Sequence, residues 1–550
     1  MANDLTRFFQ KATTPAEFRR IILASVIAGT ANAGVVVIIN NASEDFSDFQ
    51  WRYLAMFAIT IILYITTRRF ALQKSIVGVQ RSLIDLNQRL ADKTRHIGLR
   101  SYERIGPERI IADLTENSSL ILEASRMATS AAAAVVMLFA SFVYIAILSP
   151  AALWLSLFLV SCGIYAYLHN EKKISLGLRE TRRVEQEYSQ TLHHLTLGFT
   201  EVKMNRARSD SLFHQTLGDI LTRLRDLKSD TEKRFVDNMI FTQIFFYLLI
   251  AAIIFLLPRF ESQQPHIIVQ LVTMILFIVG PLGAVVDAMP TFTKANIALS
   301  RLAELEAQLD EAREVEPTYS PLAHQPTFTT LSLQHMYFTY NGSEPSDHTF
   351  RLGPVNLDVR AGEILFIVGG NGSGKTTLLK LLTGLYTPQA GVLQIDGRPI
   401  AAGEYEQFRQ LFSVIFTDFH LFDRLYGMNE VEPKRVWELL EQMDIAKKVR
   451  FDGDVFETPG LSTGQRKRLA LVCALLEDRP ILLFDEVAAD QDPQFRRYYY
   501  EVFLPSLRQQ GKTVIVVSHD DRYFGVADRV LKMDYGTLAV PPESVERNNI

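Results

Sequence analysis

The first part of the chain, up to about residue 300, alternates long uncharged stretches with strongly charged ones. A bilayer crossing needs about 20 apolar residues, and a charge near its centre is costly. The longest stretch contains two crossings, because Ser149-Pro150 lies near its middle and proline ends a helix. A buried soluble core would explain one such stretch but not six. The pattern predicts six transmembrane helices, at approximately residues 19–40, 53–72, 127–148, 151–169, 239–258 and 267–287.

The segments between these stretches differ in charge. Residues 68–126 carry 11 Lys or Arg, whereas residues 41–50 carry three acids and no base. Basic segments stay on the cytoplasmic side, so both termini of this multi-pass chain are predicted to be cytoplasmic. The long basic segments repeat apolar residues every three or four positions, which predicts long cytoplasmic helical extensions that bend at Gly106-Pro107 and Gly198. Solvated loops are the alternative.

The composition changes after residue 310. A charged helical segment gives way to a stretch with three prolines at 317, 321 and 326, and then strands alternate with helices. This alternation is typical of an α/β domain. We therefore predict an α-helical six-span transmembrane domain over residues 1–310, a linker over 311–326 and an α/β P-loop ATPase domain over 327–550. Net charge is −4, so nothing points to nucleic acid as a partner.

One glycine-rich segment follows the apolar run 364–368 and opens a helix. Glycines let successive N–H groups surround phosphates, and the helix N-terminus favours their negative charge. In such P-loops the lysine, here Lys375, binds the β- and γ-phosphates, and the following hydroxyl, here Thr376, binds Mg²⁺. The sequence thus predicts an ATP and Mg²⁺ site that includes Gly369, Gly370, Asn371, Gly372, Ser373, Gly374, Lys375, Thr376 and Thr377.

Two carboxylates, Asp485 and Glu486, end a later apolar strand. The first could hold Mg²⁺ and the second could activate water at the γ-phosphate. Capping of a helix is the plainer interpretation, which the upstream P-loop makes less attractive. A third strand ends in Ser518-His519 and brings a polar group to the same edge.

The segment "LSTGQRKRLALVCALL" resembles the ABC signature and its helix, and the other motifs occur in the usual ABC order. The resemblance implies that Tyr340 stacks on adenine and that Glu486 is the general base. It also implies that His519 is the switch histidine and Asp492 the D-loop acid. The γ-phosphate held by the opposite subunit would be contacted by Ser462, Gly464 and Gln465. Thr463 replaces a signature glycine.

The segment "SVIFTDFHLFD" stands where ABC proteins carry the Q-loop, with Thr417 in the place of the glutamine. A hydroxyl is shorter than an amide, so we expect Thr417 to reach Mg²⁺ weakly, through water. Asp418 is the alternative. Together with "AADQDP", this segment resembles bacterial exporters of cyclic peptides and non-ribosomal peptide siderophores.

That resemblance implies a half ABC transporter of the exporter type in the bacterial inner membrane, surrounded by lipids. It implies a homodimer that exports a peptide-like molecule by alternating access, driven by ATP. A lipid or multidrug exporter is the alternative cargo class, and an ATP-gated channel or regulator is the alternative from another class. Asp287 follows the last uncharged stretch, near the inner interface. We retain it as a candidate substrate residue, beside the plainer interpretation of a solvated aspartate.

Overall fold

A computed structural model describes residues 8, 14–42, 51–260, 264–315, 328–340, 350–428, 431–458 and 460–539. The chain divides into two compact units. The first consists of Met1–Arg89 and Ile110–Leu305, and the second consists of Leu90–Arg109 and Glu306–Ile550. Residues 316–326 of the predicted linker lie outside the described residues.

Helices account for the described residues before 315. Two short π-helical segments, Ser211–Leu217 and Ala252–Leu256, continue into the helices that follow them. In chain order the α-helices are α1 (Pro15–Ala42), α2 (Trp51–Arg95), α3 (Leu99–Ile105), α4 (Pro107–Leu148), α5 (Pro150–Leu197), α6 (Phe199–Met204), α7 (Arg206–Asp210), α8 (Gly218–Ala251), α9 (Leu257–Phe260) and α10 (Pro265–Glu311).

Four of these helices, α1, α2, α4 and α10, are long and apolar enough to cross a membrane. They contain four of the six predicted spans. The other two predicted spans fall on helices whose apolar stretches within the described residues are shorter, Pro150–Tyr165 and Gln243–Arg259. The structure therefore identifies four candidate spans, and a count of six remains a prediction.

The helices end where the sequence places breakers. Helix α4 ends at Leu148 and α5 begins at Pro150, with the hydroxyl of Ser149 accepting a hydrogen bond from the Ala152 N–H at 3.2 Å. Gly106 separates α3 from α4 at a φ of 87°, a left-handed conformation that glycine adopts without a steric cost. Helix α2 continues to Arg95, well past the predicted span that ends at residue 72. The predicted long extensions are thus helices.

The core of the first unit is formed by aliphatic side chains on α1, α4, α5, α8 and α10. Helices α5 and α8 pack along each other. At Gly177 a methyl group would lie 2.7 Å from the hydroxyl oxygen of Thr231, so this contact requires a residue without a side chain. A glycine therefore sets the spacing of α5 and α8 at this point.

The second unit contains two main sheets. Besides α3, its α-helices are α11 (Lys375–Leu382), α12 (Tyr405–Arg409), α13 (Pro433–Gln442), α14 (Thr463–Leu476), α15 (Pro493–Tyr498) and α16 (Leu504–Gln509). Its strands are β1 (Thr330–Thr339), β2 (Arg351–Arg360), β3 (Ile364–Val368), β4 (Ala390–Ile395), β5 (Arg398–Pro399), β6 (Phe412–Ile415), β7 (Arg450–Asp452), β8 (Val455–Glu457), β9 (Ile481–Asp485), β10 (Thr513–Val517), β11 (Arg529–Asp534) and β12 (Thr537–Ala539).

The larger sheet has the order β12-β11-β3-β10-β9-β6 and is parallel except at β12. Strands β9 and β10 are buried throughout, which explains their uninterrupted apolar sequences. Because β3, β9 and β10 are parallel neighbours, the residues that follow them meet at one edge of the sheet, where ligands of α/β domains bind. The smaller sheet is antiparallel, with the order β2-β1-β4-β5.

Candidate functional site

The turn between β3 and α11 forms a cradle of backbone groups. Gly374 has a φ of 106°, and a methyl group at this position would lie 2.6 Å from the Phe350 ring. The ammonium of Lys375 donates to the carbonyls of Gly369 and Gly370 at 2.9 and 3.1 Å. The hydroxyl of Ser373 is buried and has no hydrogen-bond partner within the described part of the chain. A phosphate oxygen would satisfy such a group, so the cradle suits a nucleoside triphosphate.

Three oxygen-bearing side chains meet beside this cradle. The hydroxyl of Thr376 donates to a carboxylate oxygen of Asp485 at 3.1 Å, and that of Thr417 hydrogen-bonds to the same carboxylate. Burial raises the pKa of Asp485, and the two hydroxyls and the Lys375 charge oppose this rise. The sequence placed Thr417 on a different loop, and the structure brings it to the Asp485 carboxylate.

This group of oxygens fits a magnesium ion. Mg²⁺ prefers hydroxyl and carboxylate oxygens and usually keeps water and phosphate ligands. No cluster of three or more His, Cys, Asp or Glu that could hold a metal occurs in the described residues. A site completed by nucleotide and water is therefore the kind of site these residues can form.

Glu486 lies directly after Asp485 and faces the same space. Its carboxylate is 3.0 Å from Nε2 of His519 and 3.9 Å from the ammonium of Lys375. Its backbone is left-handed, with a φ of 54°, and its N–H donates to the Val517 carbonyl at 3.2 Å. Residues other than glycine rarely adopt this backbone conformation, so the turn holds Glu486 in place at an energetic cost.

Tyr340 lies at the end of β1 next to the cradle. Its hydroxyl is 3.1 Å from that of Thr377, and its ring meets those of Phe338 and Tyr386 edge to face. The ring itself is more than a third exposed. An exposed aromatic face beside a phosphate cradle is suited to stacking on a base.

The signature segment caps its own helix. Ser462 is the N-cap of α14, and its hydroxyl accepts a hydrogen bond from the N–H of Gln465 at 3.3 Å. The N–H of Ser462 donates to the side-chain oxygen of Gln465 at 3.1 Å. No hydrogen bond within the described residues joins the side chain of Ser462 or Gln465 to the P-loop. The structure thus does not bring these two predicted ATP contacts to the cradle of their own chain.

Arg468 connects the signature helix with the loop after β9. Its guanidinium donates to Gln491 at 2.9 Å and forms an ion pair with Asp492, while lying 3.9 Å from the centre of the Phe495 ring. Gln491 in turn donates to the Gly464 carbonyl at 3.0 Å. The sequence singled out Gly464 and Asp492 but gave no signal for Arg468 or Gln491, whose roles follow from contacts across the fold.

Helix α3 belongs to the second unit and packs on its smaller sheet. The carboxylate of Glu103 accepts from the Lys380 ammonium at 2.8 Å and from the Tyr386 hydroxyl at 2.5 Å. Arg100 donates to the Thr339 carbonyl at 3.2 Å. Because Tyr386 also contacts the ring of Tyr340, a single side chain connects Glu103 with the predicted adenine contact.

Asp287 lies on α10 with an exposed side chain. It does not line the three cavities described for the first unit. Its assignment to cargo binding stays a prediction.

Comparison with known proteins agrees with this arrangement. Residues 352–489 match the family model described as ABC transporter. The ATP-binding protein SyrD of Pseudomonas syringae pv. syringae is 33% identical over 541 residues, which cover 94% of this chain and 93% of that protein. An ATP-dependent lipid A-core flippase of Alkalilimnicola ehrlichii is 28% identical over 295 residues, 50% of this chain and 48% of the flippase.

The fold has a counterpart among solved structures. A bacterial Atm1-family ABC exporter with ATP bound superposes with a TM-score of 0.73 at 19% identity, covering 96% of this chain and 95% of that one. The chain belongs to the ABC transporter family and, within it, to the half-exporters. It is a membrane-embedded exporter whose ATPase domain binds ATP and couples its hydrolysis to transport.

Proposed function

We propose that two copies of this chain form an exporter that moves a peptide-like molecule, a cyclic peptide or siderophore, from the cytoplasm across the bacterial inner membrane. The observation that carries the proposal is the similarity to the ATP-binding protein SyrD, which extends over 94% of the chain and so includes the membrane unit. The threonine before "DFHLFD" and the "AADQDP" loop support the same subfamily. We further propose six spans with both termini in the cytoplasm, because the long segments between the spans are basic.

The chemistry follows from the cradle. Lys375 and the backbone of residues 369–374 bind the phosphates, and Glu486 accepts a proton from the attacking water while His519 holds the carboxylate. Thr376, Asp485 and Thr417 would hold Mg²⁺, which neutralises phosphate charge when bound.

The site is completed by the second subunit. Within the described residues, the side chains of Ser462 and Gln465 make no hydrogen bond to the P-loop of their own chain, so we infer that they and Gly464 contact the γ-phosphate bound by the other subunit. Two composite sites result, and ATP binding closes the dimer. Helix α3 transmits the closure, since Glu103 fixes it to the region around α11 and Arg100 fixes it to β1.

One observation favours a second cargo class. A cavity of about 120 Å³ in the first unit is lined by apolar residues alone, including Leu159, Phe245 and Met289. A charge-poor cavity suits a lipid or an apolar drug, and the lipid A-core flippase is a relative over half of the chain.

Transport into vesicles tests the proposal. Inside-out vesicles that contain the protein should accumulate a radiolabelled cyclic peptide against its gradient when ATP is added, and those with Glu486→Gln should not. ATP-driven movement of a fluorescent lipid with no peptide uptake would replace peptide by lipid cargo. Ion current that persists in the Glu486→Gln vesicles would indicate a channel and contradict the pump.

A further inference from the structure

A second cavity in the first unit lies between α1, α2, α4 and α10 and has a volume of about 220 Å³. Its lining carries one charged side chain, Arg68, and no carboxylate. Arg68 and Ser25 both stand near the predicted cytoplasmic ends of their spans. Near the end of a span a long basic side chain can extend to the interface, so the observation that points to a ligand is the lack of a carboxylate in the cavity that Arg68 lines.

The guanidinium keeps donors for a ligand. Arg68 donates to the Tyr64 hydroxyl and lies 5.5 Å from the centre of that ring. A guanidinium carries five N–H donors in a planar fork that matches a carboxylate. Tyr64 thereby orients the fork and leaves part of it available in the cavity.

Other polar groups of the lining suit a peptide backbone. The hydroxyl of Ser25 donates to the Ile21 carbonyl at 2.9 Å. The hydroxyl of Thr129 shares its one hydrogen between the Ser75 hydroxyl at 2.9 Å and the Ser125 carbonyl at 3.1 Å. Since both hydrogens are directed at the protein, each oxygen offers a ligand its lone pairs, which accept amide N–H groups.

Two further polar side chains line the cavity, those of Ser130 and Asn32. Asn32 donates to the thioether of Met137 at 3.0 Å, which is a weak acceptor that a carbonyl oxygen could replace. Besides the Ser130 hydroxyl, the cavity therefore offers one anion-binding fork, one amide and two hydroxyl acceptors.

An apolar cavity continues from the same residues. It has a volume of about 310 Å³, shares Ser25 and Thr129 with the first and is otherwise walled mainly by side chains such as Ile22 and Val136. A ligand with its anionic group at Arg68 would thus place an adjacent apolar side chain there.

We propose that these adjoining cavities bind cargo as it enters from the cytoplasm, that Arg68 takes a carboxylate of the cargo, and that the apolar cavity takes a neighbouring side chain. The inference rests on the proposed function and deepens it, because it names an acidic, amphiphilic peptide-like cargo. Neutral and cationic molecules of the same size are bound less well.

Two cyclic hexapeptides that differ in one residue, Asp or Asn, beside a Leu-Leu pair test this preference. The full-length protein in phosphatidylcholine vesicles is titrated with each, and stimulation of ATP hydrolysis is measured. Because hydrogen bonds to charged groups are stronger, the wild type should need about tenfold less of the Asp peptide. Arg68→Gln should remove the preference, and Arg68→Lys should restore part of it.

Arg69→Gln is the matched control, since Arg69 is the adjacent cation on α2 and does not line the cavity. It should keep both the tenfold preference and the unstimulated hydrolysis rate of the wild type. An equal response of the wild type to both peptides, a preference that persists in Arg68→Gln, or its loss in Arg69→Gln would each overturn the inference. The wild-type comparison does not depend on whether a variant folds.

Two further measurements distinguish a lipid site from a cargo site, and failure of the carboxylate site from failure of the proposed export. If phosphatidylglycerol stimulates hydrolysis in an Arg68-dependent way and neither peptide does, the arginine binds a lipid headgroup and the cargo site is overturned. Vesicle uptake tests export itself: equal ATP-driven accumulation of both peptides leaves the exporter standing and overturns only the carboxylate site. Accumulation of neither overturns both.

Discussion

The nucleotide site of the second unit and the Arg68 cavity of the first surround their charged side chains differently. In the second unit Lys375, Asp485 and Arg468 are buried and each is engaged by protein groups. In the first, Arg68 lines a cavity without a carboxylate and meets a phenol. The nucleotide is the same in every cycle, so the chain can arrange its groups in advance. A cargo site must leave donors open for the molecule that distinguishes one exporter from another.

The largest expected effect comes from the residue that the nucleotide unit can least replace. Glu486→Gln keeps the shape but cannot accept a proton, so ATP turnover should fall at least about 100-fold while ATP binding persists. Measured turnover and equilibrium binding of labelled ATP check this. Glu438→Gln, on an exposed face of α13, should leave both unchanged. Turnover near the wild-type rate would remove Glu486 as the base.

A change at Glu103 tests whether α3 couples ATP hydrolysis in the second unit to transport. Glu103→Gln weakens the contacts of α3 with Lys380 and Tyr386, and we expect vesicle transport to fall about tenfold with ATP hydrolysis largely kept. Glu108→Gln, just beyond Gly106, is the control. If hydrolysis falls in parallel with transport, α3 supports the ATP site rather than coupling it.

A smaller effect is expected at the unusual residue of the Q-loop. Thr417→Val removes the hydroxyl that reaches Asp485, so the Mg²⁺ concentration for half-maximal hydrolysis should rise about threefold. A Mg²⁺ titration of hydrolysis measures it. Asp418→Asn should have no such effect, and a shift confined to Asp418→Asn would transfer the role to that side chain.

The smallest effect concerns stability and pH. Burial raises the pKa of Asp485, so its ionised form is less favourable in the folded than in the unfolded chain. This cost begins as pH rises above the ordinary value of 3.8 and is complete above the raised pKa. Asp485→Asn should therefore raise the unfolding temperature of the ATP-free protein at neutral pH and not at pH 3.

Asp492→Asn gives the opposite sign and serves as the control. A hydrogen bond from the Phe495 N–H lowers the pKa of Asp492, so its ionised form stabilises the fold above the ordinary value, and the loss appears as pH falls. Its substitution should lower the neutral-pH unfolding temperature slightly, since the group is exposed. Equal shifts in both variants would contradict the burial argument.

The sequence predicted the second unit more fully than the first, for a physical reason. Lys375 and Thr376 are adjacent, and the strand and helix beside them fix what the P-loop can bind, so local spacing was sufficient. Contacts such as Glu103 with Tyr386 join residues far apart in sequence and leave no local signal. In the first unit hydrophobicity located the helices, but the cavities depend on close approaches between them. At Gly29 on α1, for example, a methyl group would lie 2.6 Å from the carbonyl oxygen of Ala133 on α4, and both residues line the Arg68 cavity.

The left-handed turn at Glu486 has a consequence for protein engineering. A search for stabilising substitutions would find this position early, because glycine or asparagine relaxes a backbone that glutamate holds at a φ of 54°. Each such replacement would produce a more stable protein that lacks the general base for ATP hydrolysis. Mutant libraries designed to stabilise this transporter for purification should therefore leave residue 486 unchanged. A mutation at this position that restores the stability of a destabilised variant would show that the backbone strain is the cost of catalysis.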